Sequence, residues 1–136
     1  MRLRTKLFVL AAVTVAALLV TGAALALSGL TYNKTAPLSV SRTAATVTGL
    51  VTCDATDVTV EVGVNIIQGK GRQLVIATGD EMQACPVGGG TIPWTVTVTT
   101  TPGQTFQPGS ATVFISAFNA TFTSNVSASG PIKLSS

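Results

Sequence analysis

Few side chains in this chain could do chemistry. Two are cysteines, Cys53 and Cys85. Five are carboxylates: Asp54, Asp57, Glu61, Asp80 and Glu81. Lys70 and Arg72 flank Gly71 in Gln68-Gly69-Lys70-Gly71-Arg72. There is no histidine, which takes away the commonest general base and the commonest metal ligand. A serine nucleophile would then need a lysine partner, and Lys34, Lys70 and Lys133 lie in no serine–lysine motif. Paired carboxylates can hydrolyse glycosides if held at the right separation. Asp54 and Asp57 instead bracket a four-residue stretch of turn-forming type, and Glu61 falls on the outward phase of a strand pattern. The best functional use of Asp54 and Asp57 is a weak calcium site completed by carbonyl oxygens, although their spacing matches no calcium loop. The Gly69–Arg72 stretch lacks the helix that a phosphate loop needs; as a solvated hairpin loop its two cations could still touch an anionic surface such as wall polymer. No cofactor is expected, and the chain is not expected to be an enzyme.

Address comes next. Met1–Lys6 is basic, Leu7–Val20 is an apolar run broken only by Thr14, and Ala24-Leu25-Ala26 supplies small residues. That is the layout of a secretory signal peptide over residues 1–26, with cleavage before Leu27. The alternative is a retained membrane anchor, because the uncharged stretch extends to Leu30. Membrane contact is expected only in that case, and the protein is placed outside the cell or at its surface in either. The pI near 9.2 belongs to this leader. From Leu27 onward five basic residues (Lys34, Arg42, Lys70, Arg72, Lys133) balance five acidic ones. Such a neutral domain is a poor match for nucleic acid.

Export gives the two cysteines their meaning, since a pair in a small exported domain most often forms a disulfide. Closing a loop of roughly 33 residues would stabilise the fold by about 3–4 kcal/mol. Two buried free thiols are the alternative; two cysteines without histidine fall short of a zinc set.

The elements that must position these residues are strands. Val58, Val60, Val62, Val64 and Ile66 alternate with Thr59, Glu61 and Asn65; Trp94–Thr99 alternates with threonine; Ala45–Cys53 and Ala111–Phe118 read similarly. A period of two marks a sheet with one face buried and one in water, and valine and threonine suit it. Turn residues separate the runs: Asp54-Ala55-Thr56-Asp57, the Gly69–Arg72 stretch, Thr78-Gly79-Asp80, Gly88-Gly89-Gly90, Thr101-Pro102-Gly103, Gln107-Pro108-Gly109 and Gly130-Pro131. With a first strand near Leu38–Val40, the count is seven to eight strands. No crossover helix is evident, which predicts an all-β, immunoglobulin-like antiparallel β-sandwich over residues 38–136, joined to the leader by a linker at 27–37. Trp94 follows Cys85 rather than lying between the cysteines, so the disulfide is expected as a staple near one end. Trp94, Phe106, Phe114 and Phe118 are expected as core aromatics. Trp94 and Phe106, with Lys70 and Arg72, are the candidate ligand contacts.

Thr48-Gly49-Leu50-Val51-Thr52-Cys53, Cys85, Pro93-Trp94-Thr95-Val96-Thr97-Val98 and Phe106-Gln107-Pro108-Gly109-Ser110-Ala111 resemble a family of small secreted actinobacterial proteins of unknown function. The resemblance spans residues 45–118. It implies a signal peptide, one immunoglobulin-like sandwich and no functional residue.

The function expected is that of an exported, non-catalytic module of the cell envelope or medium, used for adhesion, display or structural packing. Its partners would be wall polymer, glycan or other copies of itself. The alternatives are a small-molecule or glycan binder with a cleft near Trp94 or Phe106, and a protease inhibitor presenting the Glu81–Thr91 segment.

Overall fold

The structure, a computed structural model, describes residues 27–136. The expected signal helix at 1–26 lies outside the described residues. Eight strands are present: β1 (Ser28–Tyr32), β2 (Thr35–Pro37), β3 (Ala44–Cys53), β4 (Thr59–Gln68), β5 (Val75–Ala84), β6 (Gly90–Thr100), β7 (Gly109–Asn119) and β8 (Asn125–Ser135). They are hydrogen-bonded in the order β1-β3-β6-β5-β4-β7-β8-β2. The fold is the all-β, immunoglobulin-like sandwich that the alternation predicts. One layer is β1-β3-β6 and the other β4-β7-β8-β2, with β5 as the corner that joins them.

Alternation decides what fills the space between the layers. Val60, Val62, Val64 and Ile66 of β4, Val113, Ile115 and Ala117 of β7, and Ile132 and Leu134 of β8 point inward. They meet Val47, Val51, Trp94, Val96 and Val98 from β3 and β6. Burying a side chain of this size stabilises by about 1.5–3 kcal/mol each, and this core is built mostly from valine. Phe106, in the β6–β7 loop, folds inward with no exposed surface and closes one end; its N–H donates to the Arg42 carbonyl at 2.8 Å.

Several expectations are corrected. Val58 leaves the inward row and is 73% exposed, because β4 begins only at Thr59. Phe114 is 45% exposed, and Phe118 lies half-buried against Phe122, with ring centroids 6.1 Å apart. Both share the outer phase of β7, whose inner phase is held by Val113, Ile115 and Ala117; a run apolar on both phases cannot announce which is inside. No strand covers Leu38–Val40: Leu38 makes a single bridge to Ala45, and Val40 is fully exposed. The sheet begins earlier, since residues 27–37, expected as a linker, carry β1 and β2. These strands have five and three residues, too few to display a period.

β1 and β2 also bring the one parallel pairing into an otherwise antiparallel sheet. β1 lies antiparallel on β3, then the chain kinks at Asn33-Lys34 and β2 runs parallel along β8. The first segment thus serves both layers. Tyr32 secures the switch, its hydroxyl donating to the Pro131 carbonyl at 3.1 Å.

Thr78-Gly79-Asp80 does not end a strand, because β5 runs straight through it. A side chain at Gly79 would strike the Thr97 carbonyl. The glycine marks a close crossing of β5 over β6, not a turn. Pairing between the two strands is confined to Ala77↔Thr100 and Thr78↔Thr99, and beyond it β5 follows β4 alone.

Candidate functional site

The strands give the sandwich two ends, and the chemistry-bearing residues collect there. The disulfide end carries the connections 54–58, 85–89 and 120–124; the other, the Phe106 end, carries 38–43, 69–74 and 101–108.

Cys53 closes β3 and Cys85 follows β5 directly, so their disulfide ties the β1-β3-β6 layer to the corner strand at the tip of the sandwich. The Cα atoms are 6.0 Å apart and the cysteines 32 positions apart in sequence. The staple near one end is therefore present as expected. Asp54 and Asp57 sit beside it and serve the turn. One Asp54 carboxylate oxygen accepts from the Thr56 hydroxyl at 2.6 Å, the Thr56 N–H at 2.7 Å and the Asp57 N–H at 3.1 Å. Asp57 returns the favour, accepting from the Asp54 N–H at 2.9 Å. The Thr56 hydroxyl, then the Thr56 N–H, hold the Asp54 carboxyl below its ordinary range, against the opposing effect of burial. Asp57 also accepts from the Asn119 amide N–H at 3.2 Å, and the Asn119 amide oxygen receives the Ser124 N–H at 3.1 Å. Ser124 in turn accepts the Leu27 N–H at 2.9 Å. This chain of contacts joins the 54–58 and 120–124 connections and the start of β1. No composition signal marks Asn119 as its centre; only its place at the end of an inward-alternating strand does. Among the described residues no group of three or more histidine, cysteine or acidic side chains gathers as a metal site.

Glu61 and Asp80 are diagonal neighbours on the outer side of the β4–β5 ladder, where Glu61 pairs with Met82 and Asp80 with Gly63. Hydrogen bonding to Asp80, then burial, then the neighbouring charge raise the Glu61 carboxyl above its usual range.

At the Phe106 end, Lys70 and Arg72 are exposed and border an open hollow of about 660 Å³ with Leu74, Gln104, Gln107 and Pro108. Gln68 pins the two loops together: its amide donates to the Gln107 carbonyl at 2.7 Å, and its oxygen accepts the Gln107 N–H at 2.9 Å. The structure thus brings Lys70 and Arg72 to the loop that carries Phe106, while the Phe106 ring itself points into the core. Trp94 lies apart from them. Its ring is 1% exposed, stacks over Gly49 and donates to the Leu50 carbonyl at 3.2 Å. A shallow hollow of about 440 Å³ opens beside it, with Tyr32, Asn33, Thr48 and Thr95 among its lining. In the Glu81–Thr91 segment, residues up to Ala84 belong to β5, and Val87 stands fully exposed in the short loop after Cys85.

The outer face of β3 and β6 is a ladder of threonines. Thr46 lies opposite Thr97 and Thr48 opposite Thr95; the apolar pair Leu50 and Pro93 interrupts the series before Thr52 opposite Thr91, a pair joined hydroxyl to hydroxyl at 2.7 Å. No helix among the described residues is long and apolar enough to cross a membrane.

No family model matches the chain, and no curated protein matches it. A solved structure similar to it is that of AggA, the major subunit of the aggregative adherence fimbriae type I of Escherichia coli, at 13% identity and a TM-score of 0.44, over 80% of this chain and 94% of that one.

Proposed function

We propose that this chain is an exported, non-catalytic surface module that works through its faces, in adhesion, display or structural packing at the cell envelope. The observation that carries this reading is the threonine ladder on β3 and β6. Its three opposed pairs give two parallel rows of hydroxyls. Spacing is about 5 Å across the strands and about 6.7 Å along them between the first two pairs, and Thr52–Thr91 lies about 13 Å further on, beyond Leu50 and Pro93. Each hydroxyl is donor and acceptor at once and carries no charge. A polar, uncharged surface of this kind suits polyhydroxyl polymers. The disulfide beside the Asp54 turn supports it too, because a covalent staple favours an oxidising location.

The test is retention. Cells exporting the chain are fractionated, and the recovered protein is titrated against purified wall material and immobilised polysaccharide. Binding that falls several-fold in Thr95→Ala with Thr97→Ala, at an unchanged unfolding midpoint, supports the reading. Recovery of all the protein inside the cell, or no binding to any envelope component, overturns it.

The hollow beside Trp94 favours a second reading, a glycan pocket. Tyr32 offers part of an aromatic face, and Asn33, Thr48 and Thr95 offer polar groups around it. A soluble oligosaccharide that shifts Trp94 emission while leaving the wall-binding assay unchanged would favour this reading over the first.

A further inference from the structure

Charge is sorted along the strand axis of the sandwich. Arg42 lies in the β2–β3 turn, and Lys70 and Arg72 in the β4–β5 loop, all at the Phe106 end. Lys133 sits two residues from the end of β8, in the half nearer that end, opposite Ser110 and beside Lys34, whose carbonyl accepts the Lys133 N–H at 2.8 Å. The acids are in the other half. Asp54 and Asp57, each only 8% exposed, form the β3–β4 turn, and Glu61 is the third residue of β4, so the exposed acidic charge of this half is that of Asp80 and Glu81. Asp80 and Glu81 lie across from Gly63 and Val62, in that same half of the ladder. All five cations of residues 27–136 thus lie toward the Phe106 end and all five anions toward the disulfide end. The side-chain sum is zero, and the distribution is a strong dipole.

We infer that copies of this chain associate head to tail, the acidic disulfide end of one seating on the basic Phe106 end of the next. This deepens the surface-module reading by naming a second copy as one partner. Three features favour that occupant. The two complementary surfaces belong to the same chain and lie on opposite ends, so one contact leaves both outer ends free to repeat it. The zero sum removes the net repulsion that keeps charged proteins apart. The apolar exposure is also placed for it: Met82 (61%) and Val87 (fully exposed) flank the acidic side of β5. The basic end offers the open hollow between Lys70, Arg72 and Pro108 to receive them. A polyanion, the other occupant that Lys70 and Arg72 would suit, gains nothing from the acidic half and is repelled by it.

The geometry of the contact sets its behaviour. Asp80 and Glu81 lie five and six residues along β5 from its start beside the basic loop, about 17–20 Å, or about twice the screening length of about 8 Å in physiological salt. The two ends therefore act as separate patches, and a translation that stacks them end on end generates an open chain, not a closed pair.

The experiment is light scattering on the full chain as recovered from an exporting host, across protein concentration, at about 0.01 M and about 1 M salt. The expected result is a mass that climbs with concentration without a plateau at low salt, weakened at least about tenfold at high salt. Lys70→Glu with Arg72→Glu reverses two of the five charges in the basic half, and Asp80→Lys with Glu81→Lys reverses two of the five in the acidic half; each alone should weaken association at least about tenfold, and mixing the two should restore it. The untouched protein in the salt series needs no variant to fold. A monomer at every concentration, association indifferent to salt, a plateau at two copies, or binding of polyphosphate without self-association would each overturn the proposal. These outcomes leave wall retention untouched, so the broader reading stands or falls on its own assay.

Discussion

Trp94 lies directly across the β3–β6 ladder from Gly49, on the inner face, and its ring occupies the space where a side chain at position 49 would be. The β1 carbonyl of Thr31 closes the same space from the other side. Gly49 therefore has a steric role that its mid-strand position would otherwise argue against, since glycine weakens a strand. Gly49→Ala must move either the indole, and with it the bond to the Leu50 carbonyl, or the β1 edge. Overpacking of this kind costs about 1–3 kcal/mol. The expected outcome is a lower denaturant midpoint at unchanged slope. A variant as stable as the parent would mean that β1 yields freely at Thr31.

The disulfide makes a separate contribution at the tip. Replacing both Cys53 and Cys85 by serine reopens the loop between β3 and β5, and the chain-entropy account gives a loss of about 3–4 kcal/mol for a loop of this length. The core between the layers does not depend on it, because the buried valines of β4 and β7 lie further along the strands. The expected result is a folded but weakened sandwich in far-ultraviolet circular dichroism. Its unfolding midpoint should match that of the parent held in reductant. A difference between the two would assign part of the effect to the serines.

Much of the architecture was legible because period two survives wherever one strand face meets water. The β4 row from Val60 to Ile66 and the β6 row from Trp94 to Val98 state their inner faces outright. The cysteines are legible through the expected export leader, which gives their pairing a reason. Other parts were silent for physical reasons. β1 and β2 hold eight residues between them, and a strand switch is set by what lies on either side of it, here β3 and β8. Gly79 looked like a turn because glycine serves both turns and close crossings, and only the nearby Thr97 carbonyl tells them apart. At the candidate sites, Lys70 and Arg72 were visible as a basic loop. Their opposition to Asp80 and Glu81 along the strand axis was not, because it depends on which ends of eight strands coincide.

Asp54 should confer acid sensitivity. Its folded carboxyl is held below the ordinary value of 3.8 by the Thr56 hydroxyl first, then the Thr56 and Asp57 N–H groups. A depressed carboxyl contributes stability that is present above the unfolded value and is lost as pH falls through the folded one. Denaturant midpoints should therefore decline below about pH 4, and Asp54→Asn should flatten that decline. Thr56→Val, which removes the largest contribution but keeps the backbone donors, should give an intermediate slope. A decline unchanged in Asp54→Asn would assign the acid response to another carboxyl.

Glu61 carries the opposite sign. Hydrogen bonding to Asp80 and burial raise its folded carboxyl above the ordinary 4.5, so its protonated form is the one the fold prefers. The contribution is fully present below the unfolded value and disappears as pH rises through the folded one. At neutral pH the two carboxylates are diagonal neighbours across the β4–β5 ladder, within reach of each other, and their like charges repel. Glu61→Gln should then raise the unfolding midpoint at pH 7, and the gain should shrink to nothing as pH falls below about 4.5. Asp80→Asn should do the same, and the double variant should add little to either, because both remove one shared repulsion. Additive gains would show that the two carboxyls act independently. In that case each would be answering to the acidic half of the sandwich as a whole, and the pair would have no special standing within it.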